Sequence, residues 1–152
     1  MSRAEEKAVQ RLVEIRSFKW PYRPNGMALT RFIGEDLFGR WLGITRGDPW
    51  WSANRSHTGV FNHSFVKLVP KDTFWTACFN SSDPIVDVDI VLPVQWFGHV
   101  VEEVDLELDI LRSTTGQVIV RDQDTFEHVR TKSHRSLISE RGSENLPHLI
   151  DK

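Results

Sequence analysis

The chain has 152 residues, with 19 lysines and arginines against 21 aspartates and glutamates and a formal net charge of −2. That length suits one domain with a single sizeable core, and the near-balanced charge excludes a binder that relies on a global basic field to hold nucleic acid. A lone cysteine, Cys78, can form neither an internal disulfide nor a zinc cluster, and no run approaches the roughly 20 apolar residues that span a bilayer; the expected home is a reducing cytoplasm, with no membrane partner.

In chain order, "AEEKAVQRLVEI" has Ala8, Leu12 and Ile15 at helical spacing, although Val13, Ile15 and Ser17 equally fit the start of a strand. The two prolines and Asn-Gly of "KWPYRPNG" predict a turn or loop. From there to Val120 the pattern is strand after strand: "RWLGIT", the loop "RGDPWWSANRSHTG", "SFVKLVP", "DTFWTACF", a loop around "NSSDP", then "IVDVDIVL", "VVEEVDLELDIL" and, after the turn "STTG", "QVIV". Short strands at this spacing predict an antiparallel sheet or barrel rather than βαβ units. "DQDTFEHVR" offers Asp124 as an N-cap with Glu127 three residues later, opening a C-terminal helix. The domain is expected to span residues 1–152 with its core over about 13–130 and a polar, irregular tail over 138–152.

The stretch "VDLELDI" places Asp105, Glu107 and Asp109 at every second position, with Val104, Leu106, Leu108 and Ile110 between them. Alternation of period 2 predicts that the apolar residues face a core while the acids share the opposite, outward face. Like charges about 6 Å apart repel by roughly 3 kcal/mol at an effective dielectric near 20, so if the acidic face looks into a cleft, something cationic must sit there. "VDVDI" repeats the pattern with Asp87 and Asp89, and "RDQD" adds Asp122 and Asp124 just beyond the next strand. In a meander these segments are neighbours, and oxygen ligands without a cysteine or histidine pair suit Mg²⁺ or Mn²⁺ rather than zinc. Spacing alone leaves two readings open, a bound divalent cation and a solvated acidic face.

The same segments carry a resemblance. "DVDIVLP", "VDLELDILRSTTGQVIV" and "RDQDTFEH", preceded by "SFKWPYRP", "IGEDLFGRWLG" and "FVKLVP", resemble the FomD-like family, which includes nucleoside di- and triphosphate phosphatases and a CMP-phosphonate hydrolase. The resemblance implies a mainly β fold, an antiparallel β-barrel of two twisted sheets with a C-terminal helix. It also implies a phosphohydrolase that cleaves a nucleotide phosphoanhydride with Mg²⁺ or Mn²⁺, in a site of two ions. Carried over, Asp89, Asp105, Glu107, Asp109 and Asp122 become metal ligands, and the family's basic residue falls on Lys19. Where the family commonly supplies another carboxylate this chain has Thr125, so one ion is expected to be held more weakly; the aromatic that often follows "RP" is replaced by Asn25 and Gly26.

Two ions clamp a phosphate and activate water, and phosphoryl transfer needs little beyond positioning and charge stabilisation. Asp124 is the candidate general base, and Lys19, Arg23 and Lys67 are the candidates to hold phosphate oxygens. Trp50 and Trp51, in a Gly-Asp-Pro loop, are candidates to stack on a nucleobase. The partner is then a nucleotide, without strong nucleic-acid binding, and a homodimer is compatible with exposed barrel edges. Two other readings compete: an RNA-associated binding module, and a barrel that binds metal but has lost catalysis.

Overall fold

The structure, a computed structural model, describes residues 11–140, with side chains to residue 132. Its strands are β1 (Leu12–Lys19), β2 (Arg23–Asp36), β3 (Gly39–Ile44), β4 (Pro49–Ser52), β5 (Thr58–Val60), β6 (Phe65–Val69), β7 (Trp75–Asn80), β8 (Val86–Val91), β9 (Gln95–Phe97), β10 (Val100–Arg112) and β11 (Val118–Arg121), followed by helix α1 (Gln123–Glu140). Seven of them close a ring in the order β1, β10, β8, β7, β6, β3, β2, with β2 returning to β1. The expected mainly β barrel with a C-terminal helix is what forms, as one continuous sheet. All neighbours run antiparallel except β1 and β10, which run parallel with Lys19 opposite Asp105. Strands β4 and β5 extend the sheet from β2, while β9 and β11 pair with the two ends of β10. Among the described residues no helix is long and apolar enough to cross a membrane.

Closure follows from side chains that alternate across each strand. Val13, Ile15, Leu42, Val69 and Val101 form the apolar core inside the ring, with Phe32, Val94 and Trp96 packed against it. Thr30 is fully buried among them, and its hydroxyl donates to the Val13 carbonyl at 2.8 Å. At the β2–β3 turn Gly39 has φ +142°, and a Cβ there would stand 2.5 Å from the Val69 carbonyl oxygen, so this corner admits only glycine.

Several elements differ from the sequence expectation. Strand β2 starts at Arg23, inside the segment read as a loop; its Pro24 sits at a register shift opposite Phe18, where a missing N–H costs no ladder bond. The loop over residues 46–59 contains the hairpin β4–β5, in which the Trp50 ring lies directly over the Gly59 backbone. The helix-or-strand ambiguity at the N-terminus resolves to strand from Leu12; residues 1–10 lie outside the described residues. Helix α1 starts one residue before Asp124, and it is Asp122 whose carbonyl accepts the Phe126 N–H, placing the cap at Asp122. The helix continues to Glu140, three residues into the stretch expected to be an irregular tail; residues 141–152 of that stretch lie outside the described residues.

Leu42 is 1% exposed at the centre of the core. The Leu42→Ala variant is expected to lose about 2–5 kcal/mol in urea unfolding; a loss below about 1 kcal/mol would contradict this placement of the core.

Candidate active site

Except for Glu102, which accepts an exposed hydrogen bond from Tyr22, the acids of β8 and β10 face the interior of the barrel. Lys67 on β6 and Glu103 on β10 show this most directly: β7 and β8 lie between those strands, yet the Lys67 ammonium stands 2.8 Å from Glu103 Oε2 and 3.0 Å from Oε1. Such a contact is possible only across the lumen. Both residues are 7% exposed, and Thr76, fully buried on β7, donates its hydroxyl to Glu103 Oε1 at 3.3 Å. Asp89 on β8 lies opposite Thr76 with its Oδ2 3.9 Å from the Lys67 ammonium.

Strand β10 delivers the remaining acids through a local irregularity. Its register to β8 runs Asp105 opposite Val91 and then Asp109 opposite Asp89, so four steps along β10 match two along β8. The surplus is even, and Asp109 therefore returns to the face that Asp105 occupies. Within the bulge Glu107 takes φ +72°, and its N–H donates to Asp105 Oδ1 at 2.7 Å. The carboxylates of Asp105 and Glu107 then converge on Lys19 of the neighbouring β1, whose ammonium donates to Asp105 Oδ2 at 2.6 Å and Glu107 Oε2 at 3.3 Å. Asp122, just before α1, has φ +59° and contributes its charge to the field at Asp109.

Six carboxylates, of Asp87, Asp89, Glu103, Asp105, Glu107 and Asp109, thus share two ammonium groups, those of Lys19 and Lys67, with Arg121 and His63 adding positive charge at Asp87. The consequence is written into proton affinities. Burial, reinforced by Glu103, Asp87 and Asp109, pushes the Asp89 carboxyl up to about 8 despite Lys67. Burial also raises Asp87 and Asp109, with further push from neighbouring carboxylates. Asp89 thus holds its proton more tightly than an ordinary aspartate, and it hydrogen-bonds Asp109. Burial works to lower both lysines, but Glu103 and Asp89 hold Lys67 above its ordinary value, and Asp105 and Glu107 do the same for Lys19.

This donor set fits a hard divalent cation, because it is all oxygen and short of positive charge. Among the described residues, no three carboxylate, imidazole or thiol groups already stand as one ligand cluster. The hydrogen bonds explain why: Lys19 occupies Asp105 and Glu107, and Asp109 is bonded to Asp89.

Of the residues singled out from sequence, Lys19, Asp89, Asp105, Glu107 and Asp109 come together here, while Asp122 is exposed just before α1 and acts on Asp109 only through its charge. Lys67 lies beneath the acids, in the lumen, and not at an open mouth. Arg23 is exposed and pairs with Lys19 across β1 and β2. Asp124 is exposed in the first turn of α1, as is Thr125. Trp50 and Trp51 line a groove of about 490 Å³ with Ser17, Asn25, Gly26 and Phe61. Sequence reasoning missed Glu103 and Thr76 as part of the charge network. Glu103 shares the parity of Asp105, so extending the alternation two residues back would have found it.

No family model matches the chain, and no curated protein matches it. Among solved structures it is similar to the phosphatase SC4828 with the non-hydrolyzable nucleotide GPCP, with a TM-score of 0.63 and 15% identity over 85% of this chain and 80% of that one. It is also similar to FomD in complex with CDP, with a TM-score of 0.63 and 12% identity over 92% of this chain and 94% of that one. At these identities the likeness shows a shared fold.

The raised Asp89 predicts a pH dependence. Its native value lies above the ordinary 3.8, so the native state binds more protons than the unfolded chain between roughly pH 4 and 8, and stability falls as pH rises through that window. Urea unfolding is expected to lose of order 1 kcal/mol per pH unit toward pH 8 and to level off above it. Asp89→Asn should flatten the slope, and a wild-type stability that rises across the window would contradict the assignment.

Proposed function

We propose that the chain, which has the fold of FomD and of the phosphatase SC4828, is a nucleotide phosphohydrolase that works with Mg²⁺ or Mn²⁺ on a nucleoside di- or triphosphate. The observation that carries this reading is the crowding of carboxylates inside the barrel, where Asp87, Asp89, Glu103, Asp105, Glu107 and Asp109 outnumber the ammonium groups of Lys19 and Lys67, and burial and neighbouring carboxylates raise the proton affinities of Asp89 and Asp109. Asp89, Asp105, Glu107, Asp109 and Asp122 are the residues that would hold the ions. Bound there, they would neutralise phosphate charge and provide an activated water.

The protein's own groups supply the rest. Lys19 and Arg23 are cross-strand neighbours at the edge of the acids, and their charges suit non-bridging phosphate oxygens. Asp124, exposed two residues beyond Asp122 in the first turn of α1, would take the proton of the attacking water. The groove along Trp50 and Trp51 suits the base: Ser17 lines it, and Lys19 lies two residues further along β1. Two residues of strand cover roughly 6–7 Å, the scale of a ribose between base and phosphate. Asn25 and Gly26, in the place of the family's aromatic, leave that groove open on one side. Thr125, exposed in the first helical turn, adds no carboxylate, which favours one tightly held ion and one weaker.

The experiment is phosphate release from a panel of nucleoside di- and triphosphates and a CMP ester, with Mg²⁺, with Mn²⁺ and with chelator. Turnover is expected only with metal and should fall at least 100-fold in Asp105→Asn, whose fold should persist because no core residue is removed. Turnover that survives chelator, or an unimpaired Asp105→Asn, would overturn the reading. Manganese binding without turnover on any substrate would favour the catalytically silent barrel.

A further inference from the structure

Lys67 is the part of the lumen that phosphate chemistry leaves unused. An ammonium buried this deeply is costly, and apolar side chains of similar volume commonly serve stability as well or better. An apolar residue would suit the position: Leu42, 1% exposed, lies directly opposite on β3. What Lys67 does have is a fixed place. Glu103 holds its ammonium through both carboxylate oxygens, at 2.8 and 3.0 Å, and Thr76 in turn holds Glu103 at 3.3 Å. Asp89 lies 3.9 Å from the same ammonium, close enough to be drawn toward it but beyond a hydrogen bond, and is bonded to Asp109 on its other side.

We infer that Lys67 is a positioning residue: pinned by Glu103 and Thr76 beneath Asp89, its charge orients the Asp89 carboxyl group toward Asp109 without hydrogen-bonding it, so that a divalent cation displacing the proton shared with Asp109 meets that group already in place. The inference rests on the reading of these acids as cation ligands. Glu103 has the complementary duty of keeping the ammonium from closing on Asp89. The barrel therefore carries a buried ion pair whose service is to the acid above it.

The test uses Mn²⁺ alone, with the free ion followed by electron paramagnetic resonance and folding followed by urea unfolding. Lys67→Met combined with Glu103→Leu removes one charge of each sign, so the long-range field on a bound cation is nearly unchanged. This double variant is expected to fold with stability near the wild type but to bind Mn²⁺ at least tenfold more weakly, because Asp89 has lost its anchor. Glu103→Gln is the second variant. It keeps the volume and leaves Asp89 as the nearest carboxylate to Lys67, and it should also weaken Mn²⁺ at least tenfold, since the ammonium now competes for Asp89. A purely space-filling pair would move stability and leave Mn²⁺ affinity alone. Wild-type affinity in either folded variant overturns the inference, whereas failure of the wild type to bind Mn²⁺ overturns the underlying cation reading and the inference with it.

Discussion

The interior of this barrel holds more negative charge than it can neutralise. Charges removed from water must be paired or must surrender their ionisation, and both outcomes occur side by side. Glu103 is paired with Lys67, and Asp105 and Glu107 share Lys19, whereas Asp89, bonded to Asp109 and 3.9 Å from Lys67, has its proton affinity raised by burial. A fold that needed only stability would fill that volume with apolar side chains, as it does with Val13, Leu42 and Val101. Apolar and ionic side chains thus share one lumen, with Leu42 of the core directly opposite Lys67.

Strand β10 makes the arrangement possible. It lies in the closed ring between β1 and β8 and also pairs with β9 and β11. Its bulge changes the spacing of the acids without changing the face they occupy. The parallel seam with β1 brings Lys19 beside Asp105, and the return through β11 brings Asp122 back toward Asp109. Each cation and each carboxylate of the site is thus fixed by strand pairing, with α1 entering only at its first turn. Sites carried on a paired sheet are held more tightly than sites on loops, which suits a reaction governed by placement and electrostatics.

Much of this was legible in the sequence because period-2 alternation survives even where geometry bends. "VDLELDI" and "VDVDI" grouped the acids on one face, but the apolar residues between them were expected to face the core, whereas the acids share the inward face with the buried Val91 and Val101; the condition attached to a cleft, that something cationic must sit among the acids, is met by Lys19 and Lys67. The bulge was not legible: an even surplus of residues leaves the alternation intact, so nothing in the string marks Glu107 as left-handed. The role of Lys67 was hidden for a different reason. Its partner is 36 residues away and three strands around the ring, and no local pattern reports a contact across a lumen. The β4–β5 hairpin was missed because strands of four and three residues flanked by proline and glycine read as a loop, and tertiary pairing overrode that local signal.

The account makes one demand above all others, that a divalent cation takes up the excess charge between β8 and β10. A crystal of the protein grown with Mn²⁺ and a non-hydrolysable nucleoside diphosphate, measured at the manganese absorption edge, tests it in one map. The account predicts an anomalous peak within coordination distance of Asp105 and Asp109, with Lys19 withdrawn from Asp105 toward phosphate. A map without such a peak at full Mn²⁺ occupancy elsewhere, with Lys19 still seated between Asp105 and Glu107, would contradict it.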